Sequence, residues 1–263
     1  WMDQVAPSGD VTMSNEMSNY VENDLYQHPF RTLVTLGEST TAGGWSSNPD
    51  RCWPSILAKL INDFQDEPVQ LVNSGIGANV ISARVPAYDQ SGKPAANERV
   101  QKHVIDHAPD LVAVSYGLND ARGGTPIETF RQELVDLVSS IKKGCDPLVV
   151  LLGPYFFNDF TAGGPTWSHA NHEVLQAFNL IVASVAKDSK CLYTDVYQAY
   201  GGAPWMVHYD GVHANDLGHR VIANSAFQTL AQHCPGLAMR TKRLERTSER
   251  WRDESMLKSE YGQ

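Results

Sequence analysis

Residues 210–219 read Asp-Gly-Val-His-Ala-Asn-Asp-Leu-Gly-His, and far upstream an apolar run ends in Gly37-Glu38-Ser39-Thr40. Two residues separate Asp210 from His213. A short loop can therefore hold a carboxylate against the imidazole Nδ1–H and leave Nε2 free to take a proton from Ser39. Between these blocks lie Asn73-Ser-Gly-Ile-Gly-Ala-Asn79 and Gly117-Leu-Asn-Asp120. The first is a tight Gly-rich turn able to expose backbone N–H groups, and the second offers the Asn119 amide; both suit a developing oxyanion. Taken singly, each block has a plainer reading. Ser-Thr after a strand is a common helix N-cap, Asp-Gly is a common turn, and a nearby His can be a surface residue. Taken together they supply nucleophile, base, orienting acid and donors, which is what acyl transfer needs.

Such a site needs a scaffold that brings distant loops together. Short apolar runs at 33–36, 69–72, 111–114 and 148–152, and a shorter one at 192–194, have strand length and β-branched content. Most are apolar on both faces, as in a parallel sheet covered by helices. Helical segments separate them. The clearest reads Thr125 as N-cap, Pro126 at the first helical position and Glu128 as the capping-box partner, with Gly144 closing it. Its apolar stripe is Ile127, Phe130, Leu134, Leu137, Val138 and Ile141. A second stripe is Val174, Phe178, Ile181 and Val185, and a last helix is expected from 216 to about 232. Five strand-helix alternations predict an α/β fold, a doubly wound sheet of about five parallel strands in three α/β/α layers. All the motifs then fall at the carboxyl edge, where open α/β folds place their sites.

The remaining composition bounds the partners. The 263 residues carry a net charge of -9, which argues against nucleic acid or an anionic membrane surface as partner. No apolar stretch approaches the roughly 20 residues of a membrane span. The chain starts Trp1-Met2, so the missing signal peptide is uninformative; the compartment stays open, with a slight lean to the cytoplasm. Residues 1–28 read as a polar surface arm, 29–235 as the α/β domain, and 236–263 as a charged helical tail around Leu244, Trp251 and Leu257. Cys145, Cys191 and Cys234 are expected at the amino edge and Cys52 near the carboxyl edge, all as buried free thiols; in an exported protein two of the amino-edge three would pair. His208, His213 and His219, or His169 with His172, lack the cysteine or carboxylate set that completes a metal site, so no metal is expected. Gly43-Gly44 and Gly123-Gly124 lack the Lys-Ser/Thr of a phosphate loop and read as turns. Trp45, Tyr88, Tyr155, Phe156, Phe157, Trp205 and Tyr209 fall near the carboxyl edge, with core packing as the default and a sugar-stacking wall as the alternative.

At four blocks the chain resembles the SGNH hydrolases, also called GDSL esterases and lipases. They are Gly37-Glu-Ser-Thr40, Asn73 to Asn79, Gly117-Leu-Asn-Asp120 and Asp210-Gly-Val-His213, and the resemblance covers roughly 30–233. It implies a flavodoxin-like fold and ester hydrolysis through a Ser acyl-enzyme, with neither metal nor cofactor. On this resemblance Ser39 is the nucleophile, His213 the base and then acid, and Asp210 its orienter. Asn119 and backbone N–H groups of Ser39 and of Gly77 or Ala78 form the oxyanion hole, with Ala78 favoured. Two positions depart from the family: Glu38 stands where Asp is usual, and Ala78 where the second Gly of that block is usual. The Gly-rich polar segments 41–45, 158–164 and 201–205 suit a wet cleft for a small acyl group, carbohydrate O-acetyl esters among the candidates. The rivals are a lipase or lysophospholipase, an acyltransferase, and a carbohydrate-binding protein that has lost activity. The expected partner is a small-molecule or carbohydrate ester, and the oligomeric state is not legible.

Overall fold

The structure, a computed structural model, describes residues 24–248 together with Glu254 and Ser259. Five strands pair in parallel: β1 (Thr32–Gly37), β2 (Gln70–Gly75), β3 (Leu111–Ser115), β4 (Leu148–Leu152) and β5 (Leu192–Thr194), in the order β2-β1-β3-β4-β5. This is the flavodoxin-like doubly wound order, with its switch point between β1 and β3. The runs in β1, β3 and β4 are almost wholly buried, which is why they lack alternation, whereas the edge strand β2 is half exposed.

Strand β2 runs further than its apolar residues. Asn73, Ser74 and Gly75 pair in register with Thr35, Leu36 and Gly37, so the first half of the Asn73–Asn79 motif is strand rather than loop. Its turn is thereby fixed beside the end of β1.

The helices that bear on the site are α1 (Ser39–Ala42), α2 (Trp53–Asn62), α3 (Tyr88–Ser91), α4 (Ala96–His103), α5 (Leu118–Arg122), α6 (Ile127–Cys145), α7 (His172–Asp188), α8 (Val196–Tyr200) and α9 (Asp216–His233). One face of the sheet is covered by α2 and α9, which pack on each other; the other is covered by α4, α6 and α7. The stripes read from sequence face inward: Phe130, Leu134, Leu137, Val138 and Ile141 of α6 are buried, as are Phe178, Ile181 and Val185 of α7. Val174 is only partly buried, and Leu175 takes the inward position instead.

The ends of α6 differ from the sequence reading. Pro126, not Thr125, occupies the N-cap, and the Thr125 hydroxyl is buried without a hydrogen-bond partner, so no capping box forms. The backbone N–H of Thr125 is instead drawn back to the carbonyl of Asp120 in the tight connection from α5. At the far end Gly144 stays within the helix, with Ile105 packed where a Cβ would lie, and Asp146 takes the left-handed closing position at φ 45°.

All four cysteines are free thiols. Cys52 and Cys234 are buried, but Cys145 and Cys191 are only partly so, because they sit at element ends near the amino edge. Of the two terminal segments, Leu25 donates its N–H to the carbonyl of His233, and a helix at Met239–Glu245, α10, sets Arg240 and Arg243 against Asp66 in the loop between α2 and β2. Trp251 and Leu257 lie outside the described residues.

Candidate active site

The carboxyl end of β1 turns abruptly into α1. Glu38 is extended, at φ -91° and ψ -159°, and Ser39 begins the single helical turn that Gly43 closes in left-handed conformation. This turn approaches its neighbours too closely for side chains on two strand ends. A Cβ on Gly37 would strike the Thr41 hydroxyl, and one on Gly75 would strike the backbone of Ala42. Those two glycines let the Ser39 turn nest against β2 and β3.

The loop before α9 brings up the other partners. His213 Nε2 lies 2.9 Å from Ser39 Oγ, and His213 Nδ1 lies 2.6 Å from Asp210 Oδ2. The other carboxylate oxygen accepts the N–H groups of Val212 and His213, both at 3.0 Å, so the loop closes on Asp210. Burial would raise the Asp210 carboxyl, but those N–H groups and the imidazole outweigh it and hold it at about 2. His213 is lowered too, but with the balance of causes reversed. Burial lowers its basicity, and the attraction of Asp210 only partly offsets this. A neutral imidazole aligned on a hydroxyl can take its proton and return it to a leaving group. Trp45 stacks on that ring, with centroids 3.4 Å apart and planes 7° from parallel.

The donors converge on the same side. Ser39, Ala78, Asn119, Asp210 and His213 line one pocket of about 330 Å³, with walls of Trp45, Arg122, Ala162, Gly163, Trp167 and Val212. Gly77 is not in that wall. Ala78 holds the left-handed conformation at φ 54°, a strained position for a residue with a Cβ, where glycine would be free. Asn119 sits on the short helix α5 rather than in a loop. Its backbone N–H donates to Glu38 Oε1 at 2.8 Å, and its side-chain Nδ2 donates to the carbonyl of Asn79 at 3.1 Å. The second Nδ2 hydrogen remains for a ligand. Glu38 is thus a bridge between the first and third blocks. Burial, with the charge of Asp120 beside it, raises its carboxyl well above the usual range. Beneath these blocks Arg99 gathers the carbonyls of Gly37 and Ser74, Asn79 Oδ1 and the Tyr116 hydroxyl, tying three strand ends together.

Some residues keep the default reading of the sequence, core packing for the aromatics and surface or core positions for the histidines, and others depart from it. Tyr155, Phe156 and Phe157 are core, whereas Trp205 and Tyr209 are exposed. The 201–205 segment contributes nothing to the pocket wall. His208 sits 3.5 Å from Asp210 Oδ2, and His219 is buried, accepting the Trp53 N–H through Nδ1. Arg122 and Trp167 are pocket residues that sequence reasoning missed. The first carried a readable signal, since three residues after Asn119 puts it on the same helical face; Trp167 carried none.

Known proteins resemble the chain in sequence and in fold. Residues 35–221 match the model of the GDSL-like lipase/acylhydrolase family. The chain is similar to an arylesterase of Vibrio mimicus, 30% identical over 110 residues, which are 42% of this chain and 48% of that protein. It spans only about half the length of that relative. Among solved structures it is similar to a lipase/acylhydrolase from Enterococcus faecalis, with TM-score 0.61 and 19% identity over 77% of this chain and 96% of that one. It is also similar to an acetylxylan esterase from Geobacillus stearothermophilus, with TM-score 0.57 and 19% identity over 76% and 94% of the two chains. At such identities the structural likeness is one of fold.

Proposed function

This chain belongs to the GDSL-like lipase/acylhydrolase family, and from that premise we propose that it is a serine-dependent hydrolase of short-acyl carboxylic esters, carbohydrate O-acetyl groups being the favoured substrate class. The observation that carries the reading is the unbroken hydrogen-bonded line from Asp210 through His213 to Ser39, ending in a pocket that also holds Ala78 and Asn119.

In the proposed reaction His213 Nε2 takes the Ser39 proton as Oγ attacks the ester carbonyl. The carbonyl oxygen becomes an oxyanion facing the free Asn119 amide hydrogen and the N–H groups of Ser39 and Ala78. The imidazolium, held by Asp210, gives its proton to the departing alcohol. Water then enters, loses a proton to His213 as it attacks the acyl carbon, and His213 returns that proton to Ser39 Oγ as the acid leaves.

The pocket walls favour a short acyl group. Trp45, Trp167, Ala78, Ala162 and Val212 are interrupted by Arg122, Asn119 and Asp210. An added methylene gains about 0.8 kcal/mol only against a continuous apolar wall. On the far side of Trp45 lies an open cleft of about 740 Å³ lined by Ser46, Ser47, His208, Tyr209, Asn215 and Asp216 among others. Its mixed lining of hydroxyl, amide and carboxylate side chains with aromatic rings, among them the 95% exposed Tyr209, suits a sugar as the alcohol. The name of the acetylxylan esterase of like fold points the same way.

The test is a series of p-nitrophenyl esters from acetate to octanoate with wild-type protein and Ser39→Ala. Wild-type kcat/KM is expected to peak at acetate or propionate and fall by octanoate. Ser39→Ala is expected to abolish turnover with an almost unchanged Tm, because the hydroxyl fills no core space. A maximum at octanoate would favour the lipase reading, and turnover surviving in Ser39→Ala would remove the serine mechanism.

A further inference from the structure

Arg122 is 8% exposed, and its guanidinium is held by neutral partners. Its Nη1 donates to Asn119 Oδ1 at 3.3 Å and its Nη2 to the carbonyl of Ala162 at 2.6 Å. The rings of Phe157 and Trp167 lie 5.7 and 5.8 Å from its central carbon, and its Nε is buried without a partner. Burial of a guanidinium against such partners is costly, offset only in part by acidic groups nearby, Asp159 and Asp210 among them, and packing alone would favour an apolar residue there. The group also lines the pocket that holds Ser39 and His213.

We infer that Arg122 is a positioning residue, fixing the Asn119 amide in its oxyanion-binding orientation and tying it to the wall of the acyl pocket. A carboxamide can present either its oxygen or its nitrogen to a ligand, since the two ends have almost the same shape. Here the oxygen faces Arg122 and one Nδ2 hydrogen faces the Asn79 carbonyl, so the other hydrogen is left for the pocket. With the amide reversed, a carbonyl oxygen would meet the oxyanion and repel it. The same guanidinium sets positive charge behind the donor in a site of low dielectric, where it strengthens that hydrogen bond.

Its second hand reaches the 158–164 loop. Asp159 Oδ1 gathers Thr161 N–H, the Thr161 hydroxyl and Ala162 N–H, while Asn158 and Asp159 donate their N–H groups to the carbonyl of Gly211. The loop is therefore fastened to the segment carrying Asp210 and His213 at one end and to the oxyanion donor, through Arg122, at the other.

The inference rests on the Ser39 hydrolase reading, and a double-mutant cycle on p-nitrophenyl acetate tests it. Asn119→Ala is expected to lower kcat roughly 10²- to 10³-fold with little change in KM. Arg122→Gln is expected to lower kcat about ten-fold or more in the wild-type background, also without raising KM, but by less than about three-fold when Asn119 is already Ala. Arg122→Lys keeps the charge but cannot bridge both acceptors, so it is expected to recover only part of the activity; it carries the cycle if Arg122→Gln does not fold. Losses that multiply across the two sites, a loss confined to KM, or full activity in both Arg122 variants would overturn the positioning role. Turnover in Ser39→Ala would instead overturn the underlying reading, so the two failures are distinct.

Discussion

His213 is drawn two ways by its surroundings. Trp45 covers one face of the ring, and burial disfavours the imidazolium; Asp210, 2.6 Å away, favours it. Burial prevails, and the imidazole is less basic than an ordinary histidine. In the proposed reaction only the neutral ring can accept the Ser39 proton, so activity is expected to rise with pH as His213 loses its proton. The acid limb of kcat/KM is therefore expected to have its midpoint below the ordinary histidine value of about 6.5 and to be level from there towards pH 8. A pH profile on p-nitrophenyl acetate measures this, and a midpoint above that value would contradict the role of burial. Asp210, held at about 2, stays ionised throughout and adds no second limb in that range.

Among the elements, α6 shows how a local signal yields to its context. Thr125-Pro-Ile-Glu128 has the composition of a capping box, yet the Thr125 hydroxyl is buried and unpaired because its backbone N–H is bound to Asp120 in the α5–α6 turn. Thr125→Val should then leave Tm unchanged or raise it, since it replaces an unsatisfied hydroxyl by a methyl of similar shape. A working N-cap would instead lose about 1 kcal/mol, which thermal denaturation would resolve. Elsewhere local pattern and fold agree. The apolar runs at 111–114 and 148–152 were legible because central parallel strands are apolar on both faces. Residues 73–75 were not, because edge strand β2 is held there by register with Thr35, Leu36 and Gly37 rather than by apolar content. Ser39, Asp210, His213 and Asn119 could be read as a set because their chemistry is specific and the topology sends their loops to one edge. Trp167 enters the pocket through tertiary packing, which no local spacing encodes, whereas Arg122 was legible three residues after Asn119 on one face of α5.

Across the whole molecule the site is set on buried charge, and stability must respond to pH accordingly. Asp120 lies at the base of the site, with Oδ1 accepting the Ile81 N–H at 3.2 Å and Oδ2 without a partner. Burial pushes its carboxyl up to about 7, against about 3.9 in an unfolded chain. Between those values the folded protein binds a proton that the unfolded chain has released, so this group's contribution to stability falls as pH rises. Buried His213 and His219, both lowered by desolvation, act in the opposite sense as pH rises towards 6.5, so the net slope of Tm is a poor readout. The difference between Asp120→Asn and wild type removes the histidines from the comparison and reports Asp120 together with its coupling to Glu38, because asparagine keeps the Oδ1 acceptor and does not ionise. That difference in Tm is expected to move in favour of Asp120→Asn as pH rises from 4.5 to 7, on the order of 3 °C per unit. Thermal melts of both proteins across that range measure it. A difference independent of pH would mean that Asp120 is ionised in the fold and that burial does not raise its carboxyl.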